Sequence, residues 1–201
     1  MKDVIKIIVV YYILSVLCAA ALLLGTESEV EVIAPEYSKD GLEIERKWLI
    51  NESDIPYDLT KADKFEITQT YINYNPEIRV RAIENSGITY YTMTIKRYVN
   101  DEALVRSEQD FTITQEEYES TVVRGLDNTI EKTRYQIEVE DLTYAFDIFK
   151  GSSTGLAYME IEFESEEQAN SFQEPDWIIK DITNDRDYKN QSLAQYGIPY
   201  N

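Results

Sequence analysis

Strict alternation of apolar and polar residues recurs along most of this chain and constrains its fold more than any other feature. Successive side chains of a β-strand point to opposite faces of a sheet, so this period predicts half-buried strands. We predict eight of them, over residues 42–50, 65–73, 78–84, 88–98, 105–113, 132–139, 143–149 and 156–164. Helix-capping signals at 114–117 and 165–168, and a third stretch at 189–197, predict three helices. Many strands with few helices predict an antiparallel sheet or barrel with helices outside it.

The amino-acid composition limits the chemistry that such a fold can perform. The chain has no histidine, so the Ser-His-Asp and Cys-His arrangements and imidazole-based zinc sites are excluded. Catalysis must therefore use carboxylates, Lys, Arg, Tyr or a hard metal ion. The formal net charge of −19 argues against a surface that coats nucleic acid, and the single cysteine, Cys18, excludes an internal disulfide.

An apolar run from Ile7 to Leu24 dominates the N-terminal end of the chain. It is just long enough to span a membrane, with lysines before it and glutamates after it. We predict that residues 1–25 are a membrane anchor, with a cleaved secretion signal as the alternative, and that the domain faces away from the cytoplasm. Residues 26–40 are then an acidic tether, and residues 41–201 the folded domain.

The polar faces of the predicted strands repeatedly carry sets of charged residues, and in most of these sets neighbouring charges have the same sign. These sets are Glu43 and Glu45 with Lys47, Arg79 with Arg81, Thr94 with Lys96, Arg106 with Glu108 and Asp110, Lys132 with Arg134, and Glu160 with Glu162 and Glu164. Like charges on neighbouring positions repel each other unless opposite charges or a ligand meet them. The pattern fits a closed barrel with a charged interior, in which glutamates hold hard cations and basic side chains hold phosphate oxygens. A solvated sheet face with cross-strand salt bridges is the alternative.

The order of these sets resembles the CYTH, or triphosphate tunnel metalloenzyme, superfamily. Residues 43–47 match its ExExK signature. The later elements follow in the family's order: RxR at Arg79 and Arg81, TxK at Thr94 and Lys96, RxE at Arg106 and Glu108, KxR at Lys132 and Arg134, Asp147, and ExE at Glu160 and Glu162. Residues 181–194 resemble the closing motif, although Asp187 stands where the family usually has a basic residue before the tyrosine.

The resemblance implies an eight-stranded antiparallel closed barrel, a triphosphate tunnel, with helices packed outside it. It also implies a Mg²⁺ or Mn²⁺ cofactor held by Glu43, Glu45, Asp147, Glu160 and Glu162. The implied phosphate contacts are Lys47, Arg79, Arg81, Lys96 and Arg134, with Arg186 and Lys189 as candidates from the closing motif. Lys47 and Glu108 are the implied catalytic residues, with Glu108 near a second metal ion or its bound water.

The function implied by this resemblance is metal-dependent hydrolysis of a triphosphate. Inorganic tripolyphosphate, a nucleoside triphosphate and thiamine triphosphate all remain possible substrates. One alternative is a class IV-type adenylyl cyclase, for which we find no base-recognition signature. The other is a non-catalytic polyphosphate-binding module on a membrane. The expected partners are a small triphosphate or polyphosphate and the membrane, and the oligomeric state is left open.

Overall fold

The computed structural model describes residues 42–98 and 105–199, and within them one antiparallel sheet of nine strands. The sheet runs in the order β5-β4-β3-β2-β6-β7-β8-β1-β9. Its strands are β1 Leu42–Leu49, β2 Asp63–Tyr74, β3 Glu77–Asn85, β4 Ile88–Tyr98, β5 Val105–Thr112, β6 Thr129–Val139, β7 Leu142–Phe149, β8 Ala157–Glu162 and β9 Lys180–Asp181. Each of the eight strands predicted from the period of two is present, and β9 is additional.

Three α-helices lie in the described part of the chain, α1 Gln115–Val122, α2 Glu166–Ser171 and α3 Asn190–Tyr196. The predicted capping box begins α1: the Thr114 side chain accepts from the Glu117 N–H, and the Glu117 carboxylate accepts from the Thr114 N–H. Helix α3 ends at Gly197, whose φ of 79° suits glycine. Short 3₁₀ turns occupy Glu52–Asp54, Leu59–Lys61, Leu126–Asn128, Gly151–Ser153 and Arg186–Tyr188.

One face of the sheet, which we call the apolar face, carries the main hydrophobic core. Trp48, Phe146, Met159 and Ile161 are each 0% exposed there and form one cluster with Ala169 of α2. Fully burying a side chain of this size stabilises the fold by about 1.5–3 kcal/mol. The opposite face, the charged face, is thereby left to the polar positions of the same strands.

Aromatic side chains cover one end of the charged face. Tyr71, Phe149 and Tyr158 are buried there together with Tyr188 and Leu193 from the C-terminal segment. The rings of Phe149 and Tyr158 meet edge to face with their centroids 4.8 Å apart. The C-terminal segment therefore packs against this end of the charged face.

The edge of β1 that does not face β8 is shared between two partners. Residues 42–44 pair with β5, whereas Trp48 and Leu49 pair with β9. Between them, the Ile182 N–H donates to the Lys47 carbonyl at 2.9 Å. We call this line of contacts the seam.

The predicted eight-stranded closed barrel is wrong because of this seam. Strand β5 meets β1 over only three residue pairs, so it does not close the sheet against β1 by itself. The C-terminal segment takes up the rest of the β1 edge and adds a ninth strand.

The structure also contradicts the predicted membrane helix, and with it the membrane-anchored, extracytoplasmic location, as far as the described residues go. No helix within residues 42–98 and 105–199 is long and apolar enough to cross a membrane. Residues 1–25 and 26–40, on which the anchor and tether predictions fall, lie outside the described residues. The domain boundaries that we expected therefore stay a prediction.

Candidate active site

Strands β1, β6, β7 and β8 bring five charged side chains together on the charged face. This first ion cluster consists of Lys47, Lys132, Arg134, Asp147 and Glu160. Lys47 Nζ lies 2.7 Å from Glu160 Oε1, and Arg134 Nε lies 2.7 Å from Asp147 Oδ1. Arg134 also pairs with Glu160, and Lys132 pairs with Asp147. The cluster thus interleaves three cations with two carboxylates.

Strand register explains why these residues meet. Lys47 stands directly opposite Glu160 across β1 and β8, and Arg134 stands directly opposite Asp147 across β6 and β7. Opposed side chains on one sheet face lie about 4.5–5.5 Å apart at their Cβ atoms, within reach of an ion pair. The sequence pattern therefore supplies the charges, and the register supplies their partners.

Burial and neighbouring charge shift the pKa values of this cluster. Burial raises the pKa of Glu160, but the cations Lys47 and Arg134 outweigh it and hold that pKa well below its usual range. Burial lowers the pKa of Lys132 to about 8, and the charge of Arg134 acts in the same direction. The carboxylates keep the Arg134 pKa raised despite burial. At neutral pH Glu160 is therefore ionised beside protonated partners.

Strands β3, β4 and β5 carry a second ion cluster on the charged face, made of Arg79, Arg81, Lys96, Glu108 and Asp110. Lys96 Nζ lies 2.6 Å from Glu108 Oε2, and Arg79 Nη2 lies 3.6 Å from Glu108 Oε1. Arg81 Nη2 lies 3.1 Å from Asp110 Oδ1. Burial raises the pKa of Glu108, but Lys96 and Arg79 outweigh burial and keep that pKa below its usual value. Each carboxylate in this cluster therefore holds at least one cation.

Threonines help to orient the Arg81 guanidinium within this second cluster. Arg81 Nε donates to Thr92 Oγ1 at 3.2 Å, and Arg81 Nη2 donates to Thr94 Oγ1 at 3.1 Å. Both threonines are buried on β4. Thr94 was singled out in the sequence as part of TxK, whereas Thr92 was missed, although it shares the face of Thr94 two residues away.

The remaining carboxylates predicted to hold metal lie towards one end of β1 and β8. Glu45 stands directly opposite Glu162 across the two strands, and Glu45 Oε1 lies 3.5 Å from Lys47 Nζ. Glu162 is exposed. The backbone of Glu43 pairs with that of Arg106, and both side chains lie outside what the structure describes.

These carboxylates are of the chemical type that binds a divalent cation, but those that the structure describes are not grouped around one point. Carboxylate oxygens are the ligands that Mg²⁺ and Mn²⁺ prefer, and two carboxylates opposed across strands repel each other unless a cation lies between them. No group of three or more acidic or cysteine side chains within residues 42–98 and 105–199 is arranged to hold a metal ion. Asp147 and Glu160 are held by basic side chains, and Lys47 Nζ contacts both Glu160 Oε1 at 2.7 Å and Glu45 Oε1 at 3.5 Å.

The structure separates the two basic candidates of the closing motif. Lys189 is 5% exposed, and its Nζ donates to the Thr183 carbonyl at 2.9 Å beside the seam. Arg186 is exposed and lines an open pocket of about 630 Å³ together with Lys180, Asp181, Asn184, Asp185 and Asp187. Lys189 is therefore the candidate that lies next to the strand of Lys47.

Thr183 is a residue of this region that sequence reasoning missed. Its hydroxyl oxygen accepts from the Lys47 N–H at 3.0 Å, although 136 residues separate the two in the chain. The closing motif contained Thr183, but nothing in the sequence indicated a contact with β1.

The model of the CYTH domain family matches residues 41–193 of this chain. The chain therefore belongs to the CYTH domain family. This confirms the family that the ordered charge sets predicted.

Two curated relatives, both named inorganic triphosphatase, are similar to this chain over nearly their whole length. The protein from Nitrosomonas europaea is 29% identical over 153 residues, which cover 76% of this chain and 96% of the relative. The protein from Acetivibrio thermocellus is 28% identical over 156 residues, covering 77% of this chain and 94% of the relative. A crystal structure of an inorganic triphosphatase matches with a TM-score of 0.54 and 28% identity, over 76% of this chain and 93% of that one.

Proposed function

We propose that this protein hydrolyses inorganic tripolyphosphate with a divalent cation as cofactor. The predicted triphosphatase class is confirmed by the CYTH family match together with the two relatives named inorganic triphosphatase. The observation that carries the choice of reaction is the charged face, where two buried ion clusters place cations beside carboxylates. A linear polyanion and a hard metal ion are the ligands that such a face would take.

Phosphate binding falls to five basic side chains on the charged face: Lys47, Arg79, Arg81, Lys96 and Arg134. Each is already paired with a carboxylate. A phosphate oxygen must therefore displace the carboxylate or share the basic side chain with it. Substrate binding is thereby coupled to metal binding by the same carboxylates. Side chains held in this way are preorganised, so little rotamer entropy is lost when substrate binds.

Metal binding would use the carboxylates at the Glu45 end of the face, where Glu45 opposes Glu162. Glu43 would contribute from the same strand, with Glu160 and Asp147 joining once their basic partners turn to phosphate. Bound Mg²⁺ or Mn²⁺ would draw charge from the phosphate oxygens and lower the pKa of a water molecule that attacks the terminal phosphorus. The choice between Mg²⁺ and Mn²⁺ is part of this proposal.

The catalytic work of the chain itself is then electrostatic. Lys47 and Arg134, which lie next to Glu160, would stabilise negative charge as it moves to the leaving phosphate oxygen. Glu108 would orient Lys96 and Arg79 on the phosphate chain, because it holds both of them. This changes the role that we expected for Glu108 from metal-bound water to cation positioning.

Inorganic substrate is favoured over a nucleotide by the apolar side chains of β2 and β3. Phe65, Ile67 and Ile83 are 5%, 6% and 4% exposed and pack against one another as a separate cluster. Side chains that fill their own space in this way do not present an open platform on which a base could stack. The adenylyl cyclase alternative therefore has less support than the triphosphatase.

Phosphate release from the purified full-length chain tests this function. We expect release from tripolyphosphate with Mg²⁺ or Mn²⁺, little release from ATP, and none when EDTA removes the metal. Formation of cyclic AMP from ATP would instead identify a cyclase. Tight binding of tripolyphosphate without phosphate release would identify a binding protein and overturn the proposal.

A further inference from the structure

We propose that Thr183 is a positioning residue for the phosphate-binding lysines Lys47 and Lys189, and that Asp181 and Arg46 hold it in place. This inference rests on the proposed function, because it assigns residues that orient the proposed binding groups. None of the three was a candidate site residue in the sequence.

Both main-chain groups of Lys47 on the seam side are bonded to two consecutive residues. The Lys47 N–H donates to Thr183 Oγ1 at 3.0 Å, and the Lys47 carbonyl accepts from the Ile182 N–H at 2.9 Å. On the other side Lys47 stands opposite Glu160. The position of β1 at Lys47 is therefore fixed on this edge by one side-chain hydroxyl and one main-chain N–H.

The same threonine also holds Lys189. The Thr183 carbonyl accepts from Lys189 Nζ at 2.9 Å, and both residues are buried. Thr183 thus contacts the strand of one proposed phosphate-binding lysine and the amine of another. A shift of this residue would move both lysines, and misplacement of binding groups by about 1 Å can cost up to a hundredfold in rate.

Asp181 connects Thr183 to an anchor on the apolar face. Asp181 Oδ1 accepts from the Thr183 N–H at 2.8 Å, while Oδ2 pairs with Arg46 Nη2 at 2.5 Å. The Arg46 guanidinium lies over the Trp48 ring at 4.8 Å and donates to the Ala169 carbonyl at 3.2 Å. Arg46 interrupts the apolar positions of β1, and these contacts account for it.

Glu174 provides a matched control, because it pairs with the same Arg46 nitrogen as Asp181. The two carboxylates are similarly exposed, at 39% and 35%. Within residues 42–98 and 105–199, Asp181 is bonded to the Thr183 N–H, and Glu174 is not. Glu174→Ala therefore removes an Arg46 ion pair while leaving the Asp181 contact with Thr183 in place.

The experiment compares Thr183→Val, Thr183→Ser, Asp181→Ala and Glu174→Ala in the full-length chain. We expect Thr183→Val to raise KM for tripolyphosphate by roughly fivefold or more, with a smaller change in kcat. Asp181→Ala should raise KM in the same direction, because it removes the acceptor of the Thr183 N–H, whereas Thr183→Ser and Glu174→Ala should stay within about twofold of the parent. Equal KM values for Asp181→Ala and Glu174→Ala would show that Arg46 is only a structural clamp and would overturn the inference.

Hydrogen exchange gives a readout that does not depend on activity. Thr183→Val should speed exchange of the Lys47 amide, and Thr183→Ser should restore its protection. Unchanged exchange in Thr183→Val would overturn the positioning role even if activity falls. If the parent chain releases no phosphate from tripolyphosphate, the proposed function fails, while exchange at Lys47 and calorimetric binding of tripolyphosphate still decide the role of Thr183.

Discussion

Arg134 meets Asp147 through two parallel hydrogen bonds, Nε to Oδ1 and Nη2 to Oδ2, each 2.7 Å long. Asp147 is 0% exposed and also accepts from Lys132. A buried carboxylate that is hydrogen-bonded to two cations is fixed in position without a metal ion. The residue implied as a metal ligand therefore has a role in the fold before any metal binds.

Asp147→Asn should destabilise the domain strongly. The change leaves Lys132 and Arg134 buried without their shared counter-charge, and breaking a buried ion pair from one side costs about 3–5 kcal/mol. Urea denaturation measures the free energy of unfolding. The control is Asp141→Asn in the exposed turn before β7, which should stay within about 0.5 kcal/mol of the parent. Equal stabilities of the two variants would contradict the structural role.

Glu45→Gln should mainly affect metal use. Removing one anionic oxygen ligand should raise the Mg²⁺ or Mn²⁺ concentration needed for half-maximal activity and lower turnover by more than about tenfold. Glu164→Gln makes the same chemical change at an exposed position beyond β8 and serves as the control. Metal titrations of phosphate release compare them. Identical curves would remove Glu45 from the metal site.

Arg81→Ala should weaken both substrate binding and the fold. The substitution removes the ion pair with Asp110 and the hydrogen bonds that Arg81 donates to Thr92 and Thr94. We expect the free energy of unfolding to fall by about 2 kcal/mol. This is less than for a fully buried ion pair, because Arg81 is only half-buried. Thermal unfolding without ligand checks the stability, with Arg97→Ala, an exposed arginine on the neighbouring strand β4, as the control. A higher melting temperature would mean that repulsion between cations dominates the empty charged face.

Glu66 should make stability depend on pH in acid. Burial raises its pKa, but Lys150, Lys64 and Thr133 outweigh burial and lower it to about 2 from a usual 4.5. A lowered folded-state pKa stabilises the protein above about pH 4.5, and this contribution disappears as pH falls towards about 2. The side chain is 32% exposed, so we expect about 1 kcal/mol at neutral pH.

The comparison of parent and Glu66→Gln measures this contribution. Urea midpoints at pH 7 should differ, and the difference should shrink between pH 4.5 and 3. A difference of constant size over that range would show that the Glu66 carboxylate is not the titrating group.

Lys189→Ala and Arg186→Ala should separate the two basic residues of the closing motif. Lys189 is buried beside the strand of Lys47, whereas Arg186 is exposed in an open pocket. We expect Lys189→Ala to weaken tripolyphosphate binding by roughly tenfold and Arg186→Ala by less than about twofold. Calorimetric titration measures both. A larger loss for Arg186→Ala would return the phosphate contact to that residue.

The period of two was sufficient to predict the eight main strands and the face on which the residues of the two ion clusters lie. Lys47 and Trp48 are adjacent in the chain, yet one joins an ion cluster and the other the hydrophobic core. Adjacent strand residues point to opposite faces, so this division follows from position alone. The pairing of Lys47 with Glu160 could not be predicted, because it depends on how β1 and β8 are aligned.

The sequence pattern could not predict the seam. Strand β9 has two residues, too few to show any period, and Asp181 resembles an ordinary loop acid. The contact between Thr183 and Lys47 joins distant parts of the chain through one hydroxyl group. Nothing local requires that contact, since it exists only once the rest of the sheet has brought both segments together.

The division of β1 among three partners has a consequence for how the protein is made. Strand β1 bonds to β5, β8 and β9, and all three are synthesised after it. A nascent chain leaving the ribosome therefore carries β1 with the edge at Lys47 to Leu49 incompletely paired until the C-terminal residues emerge. Such distant pairing forms slowly, and an exposed strand edge invites pairing with other chains. Premature termination before Ile179 would leave the Lys47 and Leu49 carbonyls without these bonds. We therefore expect chaperones and proteases to act mainly on such shortened products.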